Sequence, residues 1–247
     1  MNDKVYIHEF IDITGPNRAN YMHHMTANWG PIGQRERNQL CFGVWGTVGS
    51  TGPWPQVVNM WEEEGWTGLA SSFRHELGHP TLQDPSLAQW WSRAAGFRRG
   101  GTDRIMVPAP WSRTIDELCN DGVRGECYAH ELISVRPGSA WDLLDRVQEL
   151  AEPEYATFGL SLVGGWATAM RSDDEVLLLW ASSSWEQWST FEAARSSPAG
   201  ADPWRKTLAS FDAVLRRILL VDAPLAPLRT GRQPQASDAA TYELPPV

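Results

Sequence analysis

The chain has 247 residues, of which 42% are hydrophobic and 21% are charged, and its formal net charge is −9. A chain of this length buries enough surface to fold without disulfide or metal crosslinks. An acidic chain with no Lys/Arg-rich run lacks the charge pattern of nucleic-acid-binding proteins, and no stretch approaches the roughly 18 apolar residues of a membrane span. We therefore expect neither a nucleic-acid nor a membrane partner.

The N-terminal residues, Met1 to Val5, show no basic-then-apolar signal pattern. The three cysteines form no Cys-x-x-Cys pair, and an odd number does not make a disulfide framework. Small buried residues in a reducing compartment are the simpler interpretation of these thiols. The sequence therefore predicts a cytoplasmic protein.

The two halves of the chain resemble each other. Tyr6-Ile7-His8-Glu9-Phe10-Ile11 returns 122 residues later as Tyr128-Ala129-His130-Glu131-Leu132-Ile133. Further matches follow at spacings of 121 to 118 residues: Trp45 with Trp166, Trp61 with Trp180, Trp66 with Trp185, and Asp84-Pro85 with Asp202-Pro203. Ordered matches at a slowly drifting spacing indicate an internal duplication.

Each half predicts the same order of elements. A strand rich in β-branched and aromatic residues ends at a Gly/Pro turn, and a helix, two strands, one or two helices and a last strand follow. The predicted strands are Val5–Ile13, Cys41–Thr47, Gln56–Glu62 and Arg104–Val107, then Cys127–Val135, Leu160–Thr168, Glu175–Ala181 and Ile218–Val221. The first helix is expected to stop at Gly30-Pro31, and later helices to begin near Glu64, Asp84, Trp185 and Asp202. This order is the split ferredoxin-like pattern, present twice.

The pattern predicts an α+β fold of two tandem ferredoxin-like repeats. Each sheet carries helices on one face and must cover its other face too, which two sheets achieve by facing each other. We therefore expect a pseudo-symmetric barrel with the helices outside. The expected boundaries are 1–110 for the first repeat, 111–125 for a connector, 126–223 for the second repeat and 224–247 for an extended Pro-rich tail.

With these features the chain resembles the NIPSNAP family, here as a tandem pair over residues 4–222. The family's opening strand often reads Tyr-Glu-Leu-Arg, and this chain has His8-Glu9-Phe10-Ile11 and His130-Glu131-Leu132-Ile133. Glu is kept in both copies, while His replaces Tyr and Ile replaces Arg. The resemblance implies the dimeric α+β barrel superfamily, which includes cofactor-free monooxygenases, cyclases, isomerases and haem enzymes related to chlorite dismutase. The fold alone therefore does not determine the function.

The opening strands supply the first candidates for chemistry. Side chains alternate along a strand, so Tyr6 and His8 share one face and Glu9 lies on the other. Both faces should be covered, and burial raises the pKa of a carboxyl group and lowers that of a histidine, which suits proton transfer near neutral pH. The alternative is that each His bonds a neighbouring strand and each Glu meets an Arg. The catalytic candidates are His8 with Glu9, assisted by Tyr6 or His24, and the auxiliary copies are His130 and Glu131.

The 14 tryptophans are unevenly placed. Those with a counterpart in the other half are expected in a shared core. Those without one lie mainly in the first half: Trp29, Trp54, Trp90, Trp91 and Trp111. An unpaired aromatic surplus fits an apolar pocket or a subunit interface, so we expect the working cleft in the first half. The predicted substrate-binding residues are Trp29, Trp45, Trp61, Trp90, His130 and Glu131.

One motif formally matches a zinc site. His75-Glu76-Leu77-Gly78-His79 would stack two His one helical turn apart if the helix continued. Gly78 lowers helix propensity, and Pro80 biases His79 out of the helical region. We therefore expect a helix end here and predict no metal site, while a metal or haem role for His75 or His79 stays an alternative.

The leading hypothesis is an enzyme that acts on a small apolar or aromatic molecule by acid–base chemistry, as an isomerase, lyase, cyclase or cofactor-free oxygenase. No cofactor is expected. One alternative is a non-catalytic ligand-binding or interaction protein, in which the same tryptophans form a partner surface. The other is a metal- or haem-dependent enzyme that uses His75 or His79. A homo-oligomer is compatible with each of these.

Overall fold

The structure is a computed structural model, and it describes residues 1–196 and 203–240. Its described part is a mixed α+β fold in which eight antiparallel strands close into a barrel in the order β1-β3-β2-β8-β5-β7-β6-β4. The strands are β1 Val5–Ile13, β2 Leu40–Thr47, β3 Gln56–Glu63, β4 Arg98–Pro108, β5 Cys127–Ser134, β6 Leu160–Ala169, β7 Glu175–Ser182 and β8 Val214–Asp222. The predicted strands are confirmed, with β4 and β8 beginning earlier than expected.

The helices lie outside the barrel wall in both halves. In the first half they are α1 Arg18–His23, α2 Gly30–Arg37, α3 Gly65–Leu77 and α4 Ala88–Phe97, and α5 Ile115–Asn120 follows in the connector. In the second half they are α6 Ala140–Leu144, α7 Glu152–Ala156, α8 Trp185–Arg195, α9 Pro203–Ser210 and α10 Pro227–Thr230. No helix of the described residues has the length and apolar character needed to cross a bilayer.

Strand pairing follows one pattern in both halves. β1 lies between β3 and β4, and β5 lies between β7 and β8. β2 pairs with β8, and β4 pairs with β6, which joins the two halves into one closed sheet. As a result, β1 and β5 stand on opposite walls of the barrel.

Apolar side chains fill three cores. One core fills the barrel interior and includes Tyr6, Phe42, Trp45, Tyr128 and Trp166. The other two lie between the barrel wall and the helices of each half. Because the wall is covered on both faces, every residue of β3 is buried, as expected for a sheet between two apolar layers.

The first helix does not stop at Gly30-Pro31, which corrects the prediction. A π-helical segment, His24–Trp29, joins α1 to α2, and the Gly30 N–H bonds to the carbonyl of Met25, five residues back. This wider turn makes room for Pro31, which lacks an N–H and would clash with a carbonyl in a regular helix. The second half repeats the arrangement, because the π-helical segment Val147–Ala151 precedes Pro153 in α7.

The connector and the described part of the tail close one end of the barrel. Ile115 and Leu118 of α5 and Leu228 of α10 all belong to the interior core. The Gln233 side chain donates to the carbonyl of Cys41 and accepts from its N–H. Residues 224–240 are therefore packed and partly helical rather than extended, and Ala226, Pro227, Leu228 and Pro234 are buried. Residues 241–247 of the predicted tail lie outside the described residues.

Two glycines make room for the two largest interior side chains. The ring of Trp45 covers Gly43, and the ring of Trp166 covers Gly164, so a Cβ at either glycine would overlap the indole. Interior packing is too dense to absorb such an overlap. The Gly/Trp pairs are therefore part of the geometry of the closed barrel.

Gly43→Ala is expected to destabilise the protein by about 1–3 kcal/mol through overpacking against Trp45. Gly96→Ala is the matched control, because Gly96 lies in α4 and a Cβ added there would meet no other atom within 4 Å. Alanine in place of glycine in a helix should raise the free energy of unfolding by about 0.5–1 kcal/mol. Urea unfolding of both variants measures the two free energies. Equal stability of the two variants would contradict the packing described for Trp45.

Candidate functional site

The opening strand places His8 and Glu9 on opposite sides of the barrel wall. His8 points into the interior and is 1% exposed. Glu9 points outward and lines a cleft beneath the helices. Alternation along a strand makes this separation unavoidable. The structure therefore does not bring His8 and Glu9 together as one acid–base pair.

His8 meets His130 across the barrel interior. Their Nε2 atoms are 2.9 Å apart, so one imidazole donates to the other. Burial lowers the pKa of His8 well below its usual value, and the nearby His130 and Arg104 act in the same direction. Burial also lowers the pKa of His130 to about 3. The pair is therefore uncharged near neutral pH, and it links the opposite strands β1 and β5.

Tyr6 and Trp45 belong to the barrel interior rather than to the cleft. The Tyr6 hydroxyl donates to Glu62 at 2.8 Å and accepts from Asn2 at the same distance. Trp45 is 1% exposed and packs in the same interior core. Neither side chain lines the cleft that Glu9 lines, so the structure does not bring the catalytic candidate Tyr6 and the substrate-binding candidate Trp45 into one site with Glu9.

The cleft lies between β1, β3 and the helices of the first half and has a volume of about 230 Å³. Aromatic rings form its wall, and three of the four tryptophans predicted to bind substrate are among them. The aromatic lining residues are Trp29, Trp61, Phe73, Trp90 and Trp91. Polar residues also line the cleft, and four of them are charged: Glu9, Arg37, Glu76 and Arg98.

Two acids line the cleft, Glu9 and Glu76, and Glu76 forms an ion pair with Arg37. The Oε2 atom of Glu9 accepts hydrogen bonds from Trp61 Nε1 at 2.8 Å and from Asn59 Nδ2 at 2.9 Å. Burial raises the pKa of Glu9, and the neighbouring Asp103 raises it further, whereas the two donated hydrogen bonds and Arg98 oppose the shift. The carboxyl group is thus poised to hold or release a proton closer to neutral pH than a solvated glutamate would.

The tryptophan wall is continuous but separates His24 from the cleft. The ring centroids of Trp29 and Trp90 are 4.6 Å apart, and those of Trp90 and Trp91 are 4.7 Å apart. His24 stacks on Trp90 at 4.8 Å and lines a different cavity. Burial lowers the pKa of His24 to about 4. His24 is therefore uncharged near neutral pH and supports the wall from behind.

Glu131 occupies the corresponding fifth position of β5 but has different surroundings. It is completely buried, and it accepts from Trp180 Nε1 and Tyr155 Oη, each at 3.0 Å. Arg217 forms an ion pair with it, with Nε at 2.8 Å. Every partner of this carboxylate is thus supplied by the protein, which identifies a structural ion pair rather than a site with a free group.

The residues that flank Glu9 were missed in the sequence. Asn59 of β3 and Asp103 of β4 stand beside Glu9 in register, where β7 and β8 place Leu178 and Arg217 beside Glu131. A polar Asn inside an otherwise apolar buried strand was a usable signal for the first. The second depends on strand register, which no local pattern reveals.

The residues at the end of α3 do not form the zinc motif. The helix ends at Leu77, so His79 lies beyond it and does not stack on His75. His75 instead bonds Asp84 at 3.0 Å. In the part of the chain that the structure describes, the only group of metal-ligand type joins His75 and Asp84 with Glu36. In this group His75 is exposed, Glu36 is half-buried and Asp84 is buried, and none of the three lines the Glu9 cleft.

The cleft also does not fit a haem group. No His or Cys of the described residues lines it. The empty space is about 230 Å³, and indole rings form much of its boundary. A haem iron is normally held by such a side chain. The donor set around Glu9 therefore fits an organic molecule rather than haem.

Comparison with known proteins identifies the fold. No protein-family model and no curated protein matches the chain. It is similar to a solved anthrone oxidase-like protein (TM-score 0.57, 10% identity, covering 90% of this chain and 94% of that chain). It is also similar to a "putative monooxygenase" from Lactobacillus acidophilus (0.53, 7%, 90% and 97%) and to a dye-decolorizing peroxidase from Bacteroides thetaiotaomicron (0.50, 10%, 94% and 96%).

At these identities the likeness concerns the fold and not the chemistry. Membership of the NIPSNAP family stays a prediction. This chain therefore shares the fold of these solved structures.

Proposed function

We propose that the chain is an enzyme that acts on a small aromatic molecule in the first-half cleft, with Glu9 as the general base. The observation that carries the proposal is the contrast between two carboxyl groups at one strand position. Glu131 is neutralised by Arg217, whereas Glu9 faces a cavity, and the residue beside it in β4 is the acidic Asp103. A carboxyl group with a raised pKa in a cleft is the usual signature of acid–base function.

The comparison of Glu9 with Glu131 supports a catalytic role for Glu9 if the two halves are copies of one unit, and we propose that they are. The strand-pairing pattern, the π-helical segment before a proline and the Trp ring over a glycine occur in both halves. A duplicated unit needs only one working site, so the carboxyl group of the second copy can be held in an ion pair with an arginine. The second half then stabilises the barrel that the first half uses.

The reaction class follows from the composition of the cleft. Indole rings exclude water and favour a flat apolar substrate, and a base in such surroundings removes a proton from carbon or from a phenol. A volume of about 230 Å³ limits the substrate to a small molecule. Names of structural neighbours include an anthrone oxidase-like protein. This supports removal of a proton from the CH2 group of an aromatic ketone such as anthrone, addition of dioxygen to the resulting carbanion, and loss of water to give the quinone, so that one oxygen atom enters the product and the other leaves as water. Isomerisation or elimination would use the same first step.

Glu9→Gln is expected to lower kcat for oxidation of anthrone, the first substrate to test, by about 10²–10⁴-fold, because it removes the base but keeps an acceptor for Trp61 and Asn59. Oxygen uptake and substrate absorbance measure the rate. The variant should fold normally. Turnover of anthrone at an unchanged rate would contradict the role of Glu9, and binding of anthrone without turnover by the wild-type protein would favour a binding protein.

Glu131→Gln is the matched control, because it makes the same change in the other half. It leaves Arg217 buried without its main partner, so we expect a loss of about 3 kcal/mol of stability. Below its unfolding temperature this variant should retain activity. Stability measured by urea unfolding, together with the rate, separates the structural carboxyl group from the working one. A large rate loss in folded Glu131→Gln protein would contradict this division.

The pH profile tests the state of Glu9 separately. The base must be ionised, so kcat/KM should rise with pH through a pKa above the ordinary value of 4.5. Asp103→Asn removes a neighbouring negative charge and should move this rise to lower pH by about 0.5–1 unit. Trp61→Phe removes a hydrogen bond to the carboxylate and should move it to higher pH.

The control for the pH experiment is Asp142→Asn, an exposed acid on α6 in the other half. Its midpoint should equal that of the wild-type protein. Profiles of kcat/KM on one buffer series at constant ionic strength give all four midpoints. A shift of equal size and direction in Asp103→Asn and Asp142→Asn would show a general charge effect and contradict the local one.

A further inference from the structure

A second cavity opens at the end of the barrel that α5 and α10 do not close. Its volume is about 320 Å³. Phe10, Leu132, Ile218 and Pro53 supply apolar walls, and His130 lies among the lining residues. The charged side chains that line it are all arginines: Arg104, Arg171 and Arg216. Because the chain as a whole is acidic, three arginines around one cavity are a local reversal of charge.

Arg104 is the buried member of this group, with 9% of its surface exposed. Its Nε atom donates to Glu175 at 2.6 Å, and its guanidinium lies over the Phe10 ring at 5.4 Å. Its Nη1 atom is buried and has no hydrogen-bond partner among the described residues. A buried guanidinium N–H without an acceptor is costly, and an anionic oxygen in the cavity would satisfy it.

Arg171 and Arg216 stand exposed at the rim. Neither forms an ion pair with a residue that the structure describes. Among the described residues no acid lines this cavity, and Glu175, which accepts from Arg104, is the acid that contacts one of its arginines. The lining of the cavity therefore carries an excess of positive charge, which favours an anion.

The floor of the cavity is uncharged. His130 shares a hydrogen bond with His8, and both imidazoles are neutral, as described above. The cavity thus changes from a positively charged rim, through apolar walls, to a neutral polar floor. Such an arrangement suits an amphipathic molecule with one anionic end.

We propose that this cavity, the barrel-mouth site, binds a small monocarboxylate with an apolar body. The carboxylate would lie among the three arginines, whose planar guanidinium groups match it in a bidentate manner. The body would contact Phe10, Leu132 and Ile218. The site is distinct from the Glu9 cleft, because the barrel wall lies between them, and it does not depend on the function proposed for Glu9.

Binding of octanoate and 4-phenylbutyrate, each compared with its neutral amide, tests the proposal. Titration calorimetry and saturation-transfer NMR on the full chain should show carboxylate binding at millimolar concentration or below, with the amides at least about tenfold weaker. The double variant Arg171→Gln/Arg216→Gln should weaken carboxylate binding by at least about tenfold. Arg146→Gln, an exposed arginine outside the barrel, is the matched control and should bind as the wild-type protein does.

Two further variants locate the bound molecule. Leu132→Trp should fill the cavity and abolish binding without a change of charge, and its thermal unfolding shows that it is folded. Glu9→Gln should leave binding unchanged. The proposal is overturned if neither acid binds, if amides bind as tightly as acids, if the double arginine variant binds like the control, or if Glu9→Gln abolishes binding while folded Leu132→Trp does not.

Discussion

Alternation of side chains along β1 and β5 is the constraint on which both cavities depend. The barrel wall is a single sheet, which contacts the interior core with one face and the helix layer with the other. The sequence Tyr6-Ile7-His8-Glu9 therefore sends the imidazole into the barrel and the carboxyl group under the helices. Two adjacent ionisable residues enter separate surroundings, with separate partners and separate exposure to solvent. The sheet itself therefore separates the ionisable groups of β1 into two sites, whatever the loops and helices contribute.

The cost of burying charge explains why the two halves differ. An ionised carboxylate in an apolar layer needs a cation or several donors. Glu131 has both, through Arg217, Tyr155 and Trp180, and it remains an internal ion pair. Glu9 has two neutral donors, and its pKa rises in response. Burial also disfavours the charged form of the two interior imidazoles, but for a histidine this lowers the pKa. His8 and His130 are therefore neutral, and one donates a hydrogen bond to the other.

Local sequence patterns predicted the strands well because each strand carries its own signal. β1 has the predicted bounds, and the Gly/Pro turn that follows it is a local feature. The helix through Pro31 was missed, because a π-helical turn depends on backbone hydrogen bonds that the presence of a proline argues against. The packed tail was missed because Leu228 gains its stability from the barrel interior, which is built by residues far away in the chain. Three of the cleft tryptophans were predicted, Trp29, Trp61 and Trp90. Of the two neighbours of Glu9, Asn59 had a local signal that was not used, and Asp103 required the register.

Register also explains why the carboxyl groups at the same strand position of the two halves have different surroundings. The two strands beside Glu9 present Asn59 and Asp103, and the two strands beside Glu131 present Leu178 and Arg217. The strand pairing is shared, and at this position the two halves differ in the side chains beside the carboxyl group. Where β8 places Arg217 beside Glu131, β4 places Asp103 beside Glu9, and the cleft at Glu9 is lined by indole rings together with Arg37, Glu76 and Arg98. The ion-paired carboxyl group of Glu131 and the cleft-facing carboxyl group of Glu9 are in this sense two outcomes of the same fold, and the residues next to them in the sheet decide which is obtained.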